Sequence, residues 1–159
     1  MQHIDQPSYR LAVQVCNAAA DRLQRNVCQY FGDLLTSSVE EDQEEDLDSI
    51  RTTHELVKRL HHSCPAVLHT VIPILEAELG ADSANHRLIA VQTLGEMYAD
   101  KNGPDLLKKY PSTWQAWMTK KLDEAVPVRL KCIEIVPALL ANLTEAREQL
   151  QSEIIPPLP

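Results

Sequence analysis

Glycine and aromatic side chains are scarce in this sequence, with 4 glycines and 4% Phe, Trp and Tyr among 159 residues. Sheet proteins draw on both, for tight turns and for pleated half-buried faces, so the shortage disfavours a β architecture. Leu, Ala, Glu, Gln and Lys are plentiful, and helix is the expectation. Lack of glycine also removes the phosphate-cradling loops: neither GxxxxGK[ST] nor GxGxxG occurs, and there is no GxSxG elbow. The cysteines Cys16, Cys28, Cys64 and Cys132 form no CxxC pair and lie in apolar stretches. That is the pattern of buried free thiols in a reducing compartment, not of a disulfide framework. No run approaches the ~18 uncharged apolar residues of a membrane span, and MQHIDQPSYR has neither the basic nor the apolar region of a signal peptide. An intracellular protein is expected. Asn142-Leu143-Thr144 fits a glycosylation sequon, but nothing else points to secretion.

Charge is present but polarised. Seven carboxylates occupy the nine positions from Glu40 to Asp48, and setting them aside brings the net charge from −8 to −1. From Lys101 to Cys132 the balance reverses, with seven basic residues against three acidic ones, Asp105, Asp123 and Glu124. The acidic run predicts a solvated loop near 37–48.

Apolar periodicity places helices along almost the whole chain. From Tyr9 to about Leu35 the stripe Leu11, Val15, Ala19, Leu23, Val27, Tyr30/Phe31 and Leu34 predicts one long helix. A second covers roughly Leu47 to His62, with Ile50, Leu56, Val57 and Leu60 inward. Pro65 opens a third, striped by Leu68, Val71/Ile72, Leu75 and Leu79 and capped by Gly80. Asp82 or Ser83 caps a fourth, carrying Leu88, Val91, Leu94 and Tyr98, which ends before Asn102-Gly103-Pro104. A short turn at Asp105 to Tyr110 leads into a helix from Pro111 through Trp114, Trp117, Met118 and Leu122. The last helix spans about Ala125 to Asn142, with Val126, Leu130, Ile133, Val136, Leu140 and Leu143 on one face and Val128, Cys132, Ile135 and Leu139 beside them. An arc that wide needs neighbours on both sides. Pro73 and Pro137 fall inside these spans and predict kinks.

Two-sided burial is the mark of a stacked solenoid, and an internal repeat supports it. Arg87-Leu88-Ile89-Ala90-Val91 aligns with Arg129-Leu130-Lys131-Cys132-Ile133 at a spacing of 42 residues, within the ~40–47 residue period of HEAT and armadillo arrays. Asp123 to Arg129, with Val126 and Val128 between, resembles the Asp/Val/Arg signature of HEAT repeats. An Asp at one helix start can pair with an Arg on a neighbouring helix, building a ladder along the stack. The fold class expected is therefore all-α, a HEAT/armadillo-like solenoid of antiparallel helix pairs. Residues 1–159 form a single segment of about three pairs, with an irregular tail near 149–159.

Few constellations could carry chemistry. His54, His61, His62, Cys64 and His69 cluster in sequence, but no HExxH or CxxC anchors a zinc site, and solvent-facing or turn histidines are the favoured reading. The acidic run lacks the glycine of an EF-hand loop. Lys108, Lys109, Lys120 and Lys121, interleaved with Tyr110, Trp114 and Trp117, are the candidate contacts for a partner or for DNA. Trp114 and Trp117, three apart on a helix, fit the core better than a stacking platform. No catalytic residue, metal or cofactor is predicted, and the chain reads as an interaction protein, not an enzyme.

One string goes beyond a generic solenoid. RLIAVQTLGEMYADKNGPDLLKKYPSTWQAWMTKKLDEAVPVRLKCIEIVPALLANL, beginning at Arg87, resembles the cohesin-associated sister-chromatid cohesion regulator family whose name means precocious dissociation of sisters. The family pattern R-L-x-A-x-x-x-L-G-x-M-F, then D-L, a tryptophan helix and D-x-x-V-x-V-R-L, is met by Arg87 to Tyr98, Asp105-Leu106, Thr113 to Met118 and Asp123 to Leu130. Val71 to Leu79 is similar to the family's V-x-P-x-L-E-x-x-L helix, and the resemblance runs from about Val13 to Leu143. Glu40 to Asp48 and the tail from Gln149 depart from it. The resemblance implies a nuclear, chromosome-associated HEAT scaffold that binds the kleisin subunit of cohesin and works with the wings-apart-like release factor. It implies chromatin contact only indirectly, no membrane, no small-molecule substrate and no cofactor. This chain would then be a fragment of a longer protein with repeats on both sides. The alternatives are a transport-receptor or phosphatase-scaffold HEAT adaptor, or a helical surface that contacts nucleic acid.

Overall fold

A computed structural model of the protein describes residues 6–20, 25–26, 29–33 and 44–153, and among these no strand occurs. The helices are α1 (Pro7–Ala18), α2 (Glu44–Ser63), α3 (Ile72–Glu78), α4 (Ala84–Ala99), α5 (Gly103–Lys109), α6 (Pro111–Met118), α7 (Val126–Asn142) and α8 (Arg147–Glu153), with 3-10 turns at Pro65–Leu68, Thr119–Leu122 and Thr144–Ala146.

α4 is the centre of the molecule. It packs against α2 on one side and α7 on the other, and accordingly buries residues all round, among them Ile89, Ala90, Val91, Leu94, Met97 and Tyr98. The three helices run parallel. Polar pairs advance together along α2 and α4: His54 with Thr93, Lys58 with Glu96, His62 with Asp100. Between α4 and α7 the starts are joined by Arg87 and Asp123, and the ends by Asn142, which donates to the carbonyls of Tyr98 and Asp100 at 2.7 Å each. A second layer holds α3, α6 and α8. Thr113 of α6 donates to Glu76 of α3 at 2.7 Å, and the Trp114 indole donates to Gln149 of α8 at 2.9 Å. Two layers of stacked, offset helices are the expected solenoid.

Aromatics fill the seam between the layers. Trp114 and Trp117 stack with centroids 5.6 Å apart, and Tyr98 meets Trp114 edge-on at 4.9 Å. Trp117 is fully buried, and its indole N–H is satisfied by the Val91 carbonyl at 3.0 Å. α7 can approach α4 closely because Gly95 has no side chain: a Cβ there would lie 2.6 Å from Ile135 Cδ1.

Several expectations are corrected. The first helix does not run unbroken to Leu35: α1 closes at Ala18, Ala19 is non-helical, and helix resumes at Ala20, 25–26 and 29–33. On its expected stripe Leu11, Val15 and Tyr30 are exposed while Phe31 is buried; Leu23, Val27 and Leu34 lie outside the described residues. Part of the acidic run is helix, because α2 begins at Glu44; 37–43 lie outside the described residues. The span from Pro65 to Leu79 is a 3-10 turn followed by α3, with Pro73 in the first turn of α3, where its missing N–H costs nothing. Pro137 does sit inside α7, on its exposed side.

Gly80 adopts no left-handed conformation, and α3 is closed by Leu79 with right-handed dihedrals. Ser83 holds the N-cap position of α4, but its hydroxyl makes no capping bond. α7 inverts part of its predicted face: Val128, Cys132, Val136 and Leu139 are buried, whereas Val126, Leu130, Ile133 and the preceding Leu122 are exposed. Leu56 is likewise exposed. The tail is helical through Glu153; 154–159 lie outside the described residues. Cys16, Cys64 and Cys132 are free thiols, and Cys28 lies outside the described residues. Asn142 of the sequon spends its amide on the α4 carbonyls.

Candidate partner-binding site

Arg87 and Arg129 occupy equivalent places, 42 residues apart, and act alike. Arg87 Nη1 donates to the carbonyls of Ala81 and Asp82 at 2.8 and 2.9 Å, and Arg129 Nη1 to those of Asp123 and Glu124 at 2.6 and 3.2 Å. Each arginine thus clamps the turn before its own helix. Arg87 reaches further: Nε and Nη2 grip the two carboxylate oxygens of Asp123 at 2.9 and 3.1 Å, with both side chains more than nine-tenths buried. Burial alone would raise the Asp123 carboxyl, but the Arg87 hydrogen bonds, the Ala125 N–H and the charges of Arg87 and Lys120 together hold it below the usual range. This is the rung that the Asp/Val/Arg spacing predicts.

At the other end of the parallel layer, asparagines do the joining. Asn102 donates to the carbonyls of His61 and His62 at the end of α2, and Asn142 does the same for the end of α4. These caps satisfy carbonyls that a helix end leaves orphaned. They were not foreseen, although Asn102 and Asn142 each follow an apolar helical run, which is the available signal.

The four candidate lysines do not form one free basic patch. Lys108 lies 3.1 Å from Glu145, Lys120 3.7 Å from Asp123 and Lys121 3.0 Å from Glu153. Asp123 within the basic stretch, and Glu145 and Glu153 beyond it, therefore offset the positive charge seen in sequence. Lys109 pairs with no acidic group among the described residues and lines a cavity.

That cavity, of about 330 Å³, opens between the end of α2, the Pro65–Leu68 turn and α5. Leu68, Ile72 and Leu106 form its buried apolar lining; His69, Asp105, Lys109 and Tyr110 also line it. The ring of His69 is hydrogen-bonded through Nδ1 to the Tyr110 hydroxyl at 2.6 Å, and burial raises the Tyr110 phenol, which stays protonated. His61 lines the cavity too, is 3% exposed, and its Nδ1 has no hydrogen-bond partner; the nearest carboxylate oxygen, on Asp100, stands 3.9 Å away. Burial, reinforced by His62 and opposed by Asp100, lowers its pKa, so the ring is neutral near pH 7.

The histidines are placed differently from expectation. His54 and His61 are buried, and His54 is a structural link, donating through Nε2 to Glu78 at 2.7 Å with Nδ1 2.8 Å from the Thr93 hydroxyl. Among the described residues no group of three or more His, Cys, Asp and Glu side chains could hold a metal ion, and no helix is long and apolar enough to cross a membrane.

A family model described as "Sister chromatid cohesion protein PDS5 protein" matches residues 1–156. The chain is 34% identical over 154 residues to sister chromatid cohesion protein pds5 of Schizosaccharomyces pombe, covering 93% of this chain and 12% of that protein. It is 21% identical over 147 residues to PDS5 of Saccharomyces cerevisiae, covering 92% and 12%. A solved structure described as the Pds5-Scc1 complex superposes with a TM-score of 0.81 at 21% identity, over 91% of this chain and 22% of that one, which establishes the shared solenoid fold. The chain thus spans about an eighth of the length of these two relatives. With the family model matched along nearly its whole length, the chain belongs to the PDS5 family of sister chromatid cohesion proteins.

Proposed function

We propose that this chain is a non-enzymatic scaffold segment of a cohesin regulator, a HEAT-repeat unit of about three helix pairs that helps present a binding surface to the kleisin subunit of cohesin. The observation that carries the reading is the family match over residues 1–156 on a solenoid whose buried polar groups serve the stack. A solved relative with this fold is described in complex with Scc1, which supports the kleisin as partner. On this reading the protein is nuclear and chromosome-associated, acts alongside the wings-apart-like release factor, and meets chromatin through cohesin. The test is co-precipitation of the kleisin with the full-length parent protein, intact or lacking 84–142. The intact parent is expected to capture the kleisin and the deletion to capture less; an intact parent that captures none overturns the proposal. Direct nucleic-acid contact is the weaker reading, because Lys108, Lys120 and Lys121 are already ion-paired.

A further inference from the structure

Among the described α-helices α1 alone has no buried residue, and Leu11 and Val15 on its outer side are largely exposed. Tyr9, Val13 and Cys16 recur at i, i+4 and i+7, the spacing of one helix face. That face lies on the end of α2 and the turn after it. The Tyr9 and Ser63 hydroxyls are hydrogen-bonded, and Tyr9 and Val13 line one recess together with His62 and Ser63. Cys16 continues the contact: it packs on the core that holds Cys64, and the two thiols are hydrogen-bonded to each other. Both are free. They differ in access, since Cys16 is half-buried whereas Cys64 is 1% exposed, and burial raises the Cys64 thiol. Two thiols in contact, carried by elements far apart in sequence, have the proximity that a disulfide requires. One sulfur is reachable from solvent, and the other stands behind it. Cys132, by contrast, is sealed within the packed face of α7.

We propose that Cys16 and Cys64 are a redox-responsive pair, which a small-molecule disulfide such as oxidised glutathione closes into a staple between α1 and the end of α2. The chemistry is two successive thiol–disulfide exchanges. The Cys16 thiolate attacks the small disulfide RSSR, forming a mixed disulfide with one RS group and expelling the other as RS⁻, which takes up the proton that Cys16 lost. The Cys64 thiol then gives up its proton, its sulfur attacks the Cys16 sulfur, and the second RS⁻ leaves and is protonated in turn. Two protein thiols are oxidised, and one RSSR is reduced to two RSH. Cys16 opens the sequence because it is the accessible thiol, and Cys64 resolves it because only Cys16 stands within its reach. Where small thiols are in excess the pair rests open, and a rise in the oxidised form closes it. The staple secures the helix that packing holds least, and nothing in it depends on the kleisin reading.

The test equilibrates the whole 159-residue chain in mixtures of reduced and oxidised glutathione, traps free thiols with N-ethylmaleimide and maps the disulfides by peptide mass spectrometry. Cys16–Cys64 is expected as the dominant protein disulfide. Its formation in native buffer should be favoured at least about tenfold over formation in concentrated urea, a modest demand for a bond that fits the folded state. Oxidation should also raise the melting temperature of the native chain and leave that of Cys16→Ser unchanged. Circular dichroism establishes that the reduced variant folds; if Cys16→Ser does not, Cys16→Ala replaces it, and the mapping of the native chain needs no variant. The proposal is overturned if no Cys16–Cys64 bond forms, if Cys28 or Cys132 is the partner instead, if the bond forms no more readily in the folded chain than in urea, or if oxidation leaves the melting temperature of the native chain where it was.

Discussion

Replacing Arg87 with methionine removes a buried charge while keeping much of the side chain's length, and the structure fixes what is lost. Two charge-assisted bonds to Asp123 and two bonds to the carbonyls of Ala81 and Asp82 disappear. Asp123 stays behind with the Ala125 N–H at 2.9 Å and Lys120 at 3.7 Å. Removing one member of a buried pair costs about 3–5 kcal/mol because the other charge is left uncompensated. The two remaining donors place Arg87→Met near the lower end, about 3 kcal/mol, or a fall in Tm of roughly 6–12 °C for a chain of this size. Urea titrations followed by circular dichroism measure it. A second variant separates charge from packing: in Arg87→Met/Asp123→Leu the stranded carboxylate is gone, and most of the lost stability is expected back, since an apolar pair often replaces a buried ion pair at little cost. Because the pair is buried, the loss persists in high salt, where a surface pair would fade. An Arg87→Met variant within about 1 kcal/mol of the native chain, or a double variant equal to the sum of its single changes, would refute the rung as a stabilising element.

The two close-packed glycines differ in expected cost. At Gly103 a Cβ would collide with the backbone carbonyl of Tyr98, so Gly103→Ala should lose about 1–3 kcal/mol in the same titration. At Gly95 the obstacle is the mobile end of Ile135, 2.6 Å away, and Gly95→Ala should stay within about 1 kcal/mol as the gain in helix propensity offsets the crowding. His61 is held neutral by burial, with a pKa below the unfolded value; its contribution is fully present above about pH 6.5 and declines as pH falls below that value, since only the unfolded chain then gains the proton. The urea midpoint should therefore drop between pH 7.5 and 5.5, and less so in His61→Phe. Asp123 titrates the other end of the range: its depressed pKa confers stability above about pH 4 that is lost on further acidification, and Asp123→Asn should flatten that limb.

How much could be read from residues alone varies by element. The helices over Leu47 to His62, to either side of Leu94 and from Ala125 to Asn142, with the buried Trp114 and Trp117, were legible because each rests on a local pattern, a 3.6-residue stripe or two aromatics on one helix face. The spacing of 42 marked Arg87, Asp123 and Arg129 without saying which arginine holds Asp123. The 3-10 turn from Pro65 and the helix from Arg147 were not legible. Nor was the inward face of α7, since it is apolar nearly all round and no period distinguishes Val128 and Cys132 from Leu130 and Ile133. The break at Ala19 was also hidden, because no glycine or proline marks it. Burial of His54 and His61 depends on partners 24 to 39 residues away or on none, and composition carries no trace of either. The cavity was illegible for the same reason, being assembled from the end of α2, a 3-10 turn and α5. The pairing of the lysines was not legible because two of the carboxylates that answer them, Glu145 and Glu153, stand 32 or more residues further on and beyond the last predicted helix, and only Asp123 is a sequence neighbour.

Two different fastenings hold α4 to α7, a guanidinium on a carboxylate at the starts of the helices and an amide on two carbonyls at their ends. Rods pinned at both ends can neither slide lengthwise nor splay, whereas α3 and α6 are joined by hydroxyl bonds to a single carboxylate, Glu76. The lengthwise register of α4 on α7 is thereby fixed twice over, by Arg87 at one end and by Asn142 at the other.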